Sequence, residues 1–167
     1  MKMKFLAALA VSCMFAFTAC SDDESESLAD KCKKLSEDCL EGTWNLDAIV
    51  MKNEPSTVLV DFKSNPSKLT FNNDGTFSYA FSSTLTGSEC AGVTNYGKWE
   101  ILNKTELQLK ATNGDCFKSK TLSPVLTVES GDAGDKVLLN IQTVFFQQAE
   151  SNGLTAGSDT EIFSRIE

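Results

Sequence analysis

The 167-residue chain carries 15 Lys+Arg against 23 Asp+Glu and no histidine, a formal net charge of −8. The missing histidine excludes His-based acid–base work, Ser-His and Cys-His nucleophiles and His-containing zinc sites. The acidic balance argues against tracking a phosphate backbone, so nucleic acid is not an expected partner. A hydrophobic share of 41% with 9% aromatics excludes a disordered chain and supplies the core of one domain.

Residues 1–20 read MKMKFLAALAVSCMFAFTAC. Lys2 and Lys4 precede a 13-residue uncharged stretch, Phe5 to Phe17, which fits a signal-peptide core and falls short of the roughly 20 residues a membrane-spanning helix needs. Phe17-Thr18-Ala19-Cys20 resembles a bacterial lipobox, although Phe17 and Thr18 depart from its commonest pattern. The expectation is a signal peptide over 1–19 and a lipidated Cys20 as the membrane anchor; the alternative is an ordinary secretory signal with a chance cysteine. Losing Lys2 and Lys4 takes the net charge to −10. Residues 20–27 then form an acidic tether, because SDDESES has four carboxylates and no apolar side chain. An acidic run after the lipid cysteine also resembles the export signal of some surface lipoproteins. The expected location is the bacterial outer membrane, at the cell surface, with the periplasmic face as the alternative.

Residues 28–167 read as one folded domain. Leu28, Cys32, Leu35 and Cys39 fall on one helical face, and Ser36-Glu37-Asp38 offers a fresh N-cap that would interrupt the helix. From Gly42 the period becomes two. Trp44, Leu46, Ala48 and Val50 alternate with polar residues. Leu69 and Phe71 lead into the hairpin turn Asn72-Asn73-Asp74-Gly75, and Phe77, Tyr79 and Phe81 leave it. Trp99 and Ile101, then Leu107 and Leu109, share faces on either side of Asn103-Lys104. Residues 117–129 make a less regular strand with Pro124 at an edge or bulge. Val137, Leu139 and Ile141 follow Gly131–Asp135, and residues 160–166 supply the last strand. Eight antiparallel strands in series predict an all-β, up-and-down barrel with a short N-terminal helix. An immunoglobulin-like sandwich is the alternative, but it lacks the Cys–Trp–Cys spacing here.

Strand parity sorts the loops. With the start of the Trp44 strand as the bottom, the short turns Asn72–Gly75, Asn103–Lys104 and Gly131–Asp135 lie there. The loops 52–66, 83–95, 112–116 and 146–159 lie at the top, as at an open mouth. An exported chain sits in an oxidising compartment, so Cys32, Cys39, Cys90 and Cys116 read as two disulfides; a Cys₄ zinc site lacks any CxxC pair. Parity puts Cys90 and Cys116 together at the top and leaves Cys32–Cys39 near the floor. That second bridge needs a helix break near Ser36–Asp38, because seven residues of unbroken helix span about 10.5 Å, against a limit near 7 Å for Cα atoms.

Gly42-Thr43-Trp44 on the first strand, after a short helix, resembles the first signature of the lipocalin and calycin barrels. The segments Leu69–Phe77 and Tyr96–Ile101 look like bacterial lipocalin-like domains of small lipoproteins. The resemblance covers about residues 40–166 and implies that Arg165, the one arginine, packs over Trp44 as floor structure by cation–π contact. The middle TDY-like signature is missing. No nucleophile elbow, P-loop or GxGxxG occurs, and Asp132 with Asp135 reads as a solvated turn. No catalytic residue, metal or cofactor is therefore expected, and the protein reads as a non-enzyme. Two functional readings remain. In one, a small apolar ligand enters a pocket lined near the mouth by Phe62, Phe81, Tyr96 and Phe145. In the other, large side chains fill the barrel, and Val58-Leu59-Val60 with Phe145-Phe146 form a rim for an extracellular protein or glycan.

Overall fold

Two single-turn helices precede the sheet, and each begins on a serine cap. The computed structural model describes residues 26–53, 56–84, 89–113, 116–131, 134–148 and 154–166. The expected leader, Cys20 and most of the expected acidic tether lie outside these residues. In α1 (Leu28–Lys31), Ser27 Oγ accepts from the Asp30 amide at 3.1 Å. In α2 (Glu37–Leu40), Ser36 Oγ accepts from the Cys39 amide at 3.4 Å. The break between them turns the chain back, so the Cα atoms of Cys32 and Cys39 lie 4.7 Å apart and the two are bridged. The interruption expected at Ser36 is thus the geometric condition for this disulfide.

The strands are β1 (Gly42–Asn53), β2 (Ser56–Asp61), β3 (Lys68–Phe71), β4 (Thr76–Ala80) and β5 (Thr94–Ile101). They continue as β6 (Leu107–Asn113), β7 (Lys120–Leu122), β8 (Val125–Gly131), β9 (Gly134–Gln148) and β10 (Leu154–Ile166). The pairing order is β7-β6-β5-β4-β3-β1-β10-β9-β8, antiparallel throughout, with β2 added beside β1. The sheet curls so that the first and last strands meet. Its two ends, β7 and β8, are separated in the chain by only Ser123 and Pro124. Proline has no N–H for a ladder, so one stave breaks there: its first part pairs β6 and its second pairs β9. Among the described residues the strand count is therefore ten rather than the expected eight. One stave is split at Pro124, and the loop expected over 52–66 contains β2.

A second correction concerns β1. The register with β10 slips between Leu46 and Ala48, which leaves Asp47 as an extra residue. Leu46 opposes Phe163, whereas Ile49 opposes Glu161. Ala48 and Val50 consequently turn to the outer face, and Ile49 packs against the core. The bulge is held by polar bonds: the Asp47 carboxylate accepts from Lys136 Nζ at 2.7 Å and from Ser164 Oγ at 2.9 Å.

Beyond the bulge the barrel is lopsided. β1 and β10 stay paired up to Asn53 and Gly157, and the β9–β10 ladder continues to Gln148 and Leu154. On the opposite side β3 and β4 stop at Lys68 and Ala80. A tall wall of β2, β1, β10 and β9 thus overhangs a short wall of β3 to β7. Below the rim the interior is filled. Trp44, Phe71, Phe77, Leu109, Leu139 and Phe163 are all fully buried, and Phe71 meets Trp99 edge-on at 5.3 Å.

Candidate functional site

The floor is sealed around one turn of backbone. Trp44 Nε1 donates to the Leu40 carbonyl at 2.8 Å, and Arg165 donates to the Glu41 carbonyl. Gly42 adopts φ 115°, and a Cβ there would meet the Arg165 guanidinium at 2.8 Å, so glycine serves both the turn and the close approach. Trp44 and Arg165 thus brace the same turn. Their link runs through the carbonyls of Leu40 and Glu41 instead of the expected cation–π stack. Among the described residues the cation–π contact is Lys120 over Phe117, 4.9 Å from the ring centroid.

The mouth is built differently. Tyr79 on β4 packs against Phe81 at 4.5 Å, Phe117 at 5.4 Å and Phe163 at 6.1 Å. Phe117 also meets Phe77 at 5.5 Å. It lies on the irregular segment between β6 and β7, beside Cys116, which is bridged to Cys90 with a Cα separation of 5.5 Å. This collar roofs the filled core. Above it lies a cavity of about 290 Å³ lined by Tyr79, Phe81, Cys116, Phe117, Lys118, Lys120 and Glu161. β4, β7 and β10 are not neighbours in the sheet, so these side chains converge across the barrel opening. Lys120 Nζ stands 3.6 Å from the Glu161 carboxylate. Burial pushes the Tyr79 phenol up, the Glu161 charge adds to this, and a hydrogen bond with Ser67 offsets only part of it. Tyr79 therefore stays a neutral hydroxyl at any physiological pH.

Four aromatic residues were expected at the mouth, and their fates differ. Phe81 lines the cavity. Phe62 packs against the core from the end of β2. Tyr96 is misplaced: it points outward and is 51% exposed, over an outer groove with Ser78, Lys98 and Thr112. Its own strand carried the reason, since Trp99 and Ile101 face in and period two sends Tyr96 out. The side chains of Phe145 and Phe146 lie outside the described residues, as does Asp132. On the rim, Val58 and Leu59 of β2 are 48% and 65% exposed. Sequence reasoning missed Lys120 and Glu161, although each stands two residues from an inward apolar partner, Leu122 and Phe163. It also missed Asn95, which shares the inward face of β5 with Trp99.

The model of a lipocalin-like domain matches residues 40–124, about half of the chain. The chain belongs to the lipocalin-like domain family. The matched span runs from the end of α2 to the break at Pro124, and β8 to β10 complete the curled sheet of this lipocalin-like domain beyond it. No protein of curated function matches the sequence. The curled antiparallel sheet with its aromatic mouth fits a ligand-binding fold of the calycin type. Among the described residues no cluster of metal-ligating side chains occurs, and no helix is long and apolar enough to cross a membrane.

Proposed function

We propose that this lipocalin-like domain is a non-enzymatic carrier that holds a small, mainly apolar molecule at its mouth, and that lipid on Cys20 tethers it to a bacterial outer membrane, facing the cell surface. The observation that supports the ligand reading is the cavity of about 290 Å³ walled by Tyr79, Phe81 and Phe117. Aromatic walls with a few convergent polar groups are the usual make-up of a small-molecule site. The filled interior beneath limits the ligand to the upper barrel. Native mass spectrometry of the protein from its own host tests this reading: a co-purifying apolar molecule, lost in Phe81→Ala, is the expected result. A protein that carries no molecule and binds none would overturn it.

The second reading is an interaction module for an extracellular protein or glycan. It draws on the exposed Val58 and Leu59 of the tall wall, a small apolar rim on an acidic molecule. Leu59→Lys separates the two readings, because it should abolish partner capture while sparing ligand binding. The anchor has its own test. Cys20→Ser should release the protein from the membrane, and a variant that remains membrane-bound, beside a wild type without acyl mass, would end that part of the proposal.

A further inference from the structure

Asn95 lies on β5 directly opposite Tyr79 of β4. The alternation of β5 turns it inward with Gly97 and Trp99. Asn95 is fully buried, and neither its Nδ2 nor its Oδ1 has a hydrogen-bond partner among the described residues. A buried carboxamide with both ends unpaired is costly and calls for an explanation. The neighbouring inward position is a glycine, crowded by the Lys110 backbone and the Phe77 ring, and offers Asn95 no polar side chain. A Cβ on Gly97 would meet the Lys110 carbonyl oxygen at 2.2 Å and Phe77 Cε1 at 2.4 Å. Asn95 does not itself line the mouth cavity; it is the cross-strand neighbour of Tyr79, which does.

We propose that the molecule held at the mouth carries a neutral group with adjacent hydrogen-bond donor and acceptor, a carboxamide or a lactam, and that Asn95 binds it. The inference rests on the ligand reading above and goes beyond it by naming the head group. A carboxamide side chain offers one donor edge and one acceptor edge. Another amide answers both at once through two parallel bonds. A carboxylate answers only the N–H side and sets its charge against Oδ1, and a hydrocarbon answers neither. The charges at the cavity do not call for an ionic ligand, since Lys120 and Glu161 already face each other at 3.6 Å. Reaching Asn95 requires an aromatic side chain to turn aside. Phe81 and Phe117 both pack on Tyr79 from positions outside the strands, and either ring turning aside would serve.

Three probes with one eight-carbon tail test the proposal: octanamide, N,N-dimethyloctanamide and octanoate. Titration calorimetry on the full chain carrying Cys20→Ser should show octanamide binding about tenfold tighter than the other two, the worth of one or two net hydrogen bonds. Asn95→Leu in the same background should level the three affinities. Equal binding of all three probes to the unchanged Asn95 protein would overturn the proposal and leave the ligand reading intact; an internal water serving Asn95 predicts that result. A preference for octanamide that survives Asn95→Leu would overturn it too. Binding of no probe would sink the ligand reading with it. Should Asn95→Leu fail to fold, Asn95→Ser takes its place, with the same levelling of the three affinities expected and a surviving octanamide preference overturning the proposal.

Discussion

At the floor, two helices, a disulfide, a tryptophan and the one arginine converge on the backbone of Leu40, Glu41 and Gly42, and each polar group named there has a partner. At the mouth, one wall outgrows the other, a lysine and a glutamate pair beside an aromatic cavity, and an amide is buried with no bond to any described residue. The contrast separates what the two ends are for. Satisfied, short-range contacts fix the curled sheet where its first and last strands meet. The buried polar side chain that lacks a partner among the described residues, Asn95, stands beside Tyr79 at the end where binding is proposed, as local conflicts tend to at functional sites. Substitutions at the floor should therefore report mainly in stability, and substitutions at the mouth mainly in ligand affinity.

The largest effect belongs to Trp44. It is fully buried and its indole N–H is spent on the Leu40 carbonyl. Trp44→Ala should cost about 3–5 kcal/mol in denaturant unfolding. Arg165→Ala should cost less, about 1.5–3 kcal/mol, the worth of a hydrogen bond from a charged donor. Both residues brace the same turn, so their losses should be non-additive in a double-mutant cycle. Strict additivity would show that the floor is two independent contacts instead of one joint.

The disulfides set the two ends against each other directly. On the chain-entropy model the bridge with sequence separation 26, Cys90–Cys116, contributes about 3.6 kcal/mol. The bridge with separation 7, Cys32–Cys39, contributes about 2.5 kcal/mol. Replacing the mouth pair by alanine should also loosen Phe117 and so change ligand affinity, which replacing the floor pair should leave alone. Equal loss of affinity in both double variants would break the division between floor and mouth.

Legibility followed the same division. The floor was readable because its signals are local: the serine cap at Ser36, the Gly42-Thr43-Trp44 segment, the Asn72–Gly75 turn, and cysteines whose pairing parity could decide. The mouth was not, because one residue reversed the arithmetic. Asp47 reads as the polar partner in a regular alternation, yet its carboxylate is claimed by Lys136 and Ser164 from two other strands. No period within β1 announces that bulge. The tall wall had a similar fate, since the stretches read as loops over 52–66 and 146–159 pair into strands only through partners distant in sequence. Tyr96 is the exception, an aromatic assigned by size to a face its own strand excluded.

Tyr79 offers a test of the mouth from its chemistry. Its phenol is raised above the ordinary tyrosine value, mainly by burial. The neutral form is favoured in the fold, so its contribution to stability is complete below about pH 10, the unfolded value, and falls away as pH rises beyond it. In a Tyr96→Phe variant Tyr79 is the sole remaining phenol of the two tyrosines. Its phenolate absorbance should then appear together with the loss of β-sheet signal. Ionisation well before that loss would mean that water reaches the Tyr79 phenol through the collar while the fold is intact.

The smallest effect lies back at the floor end, in the hairpin between β3 and β4. The Asp74 carboxylate accepts from the Thr76 hydroxyl at 2.5 Å and from the Thr76 amide at 2.9 Å. The hydroxyl bond first, and the amide bond with it, hold the carboxyl below its usual value. A carboxyl lowered in the fold adds stability that is present above its unfolded value and is lost as pH falls through the folded one. Asp74 is fully exposed, so this gain is small. Acid titration followed by carbon NMR should place Asp74 below the ordinary aspartate value near 3.9, and Thr76→Val should move it back up. An Asp74 value that Thr76→Val leaves unchanged would show that this turn is held by backbone geometry alone, with Asn72 and Gly75 sufficient to form it.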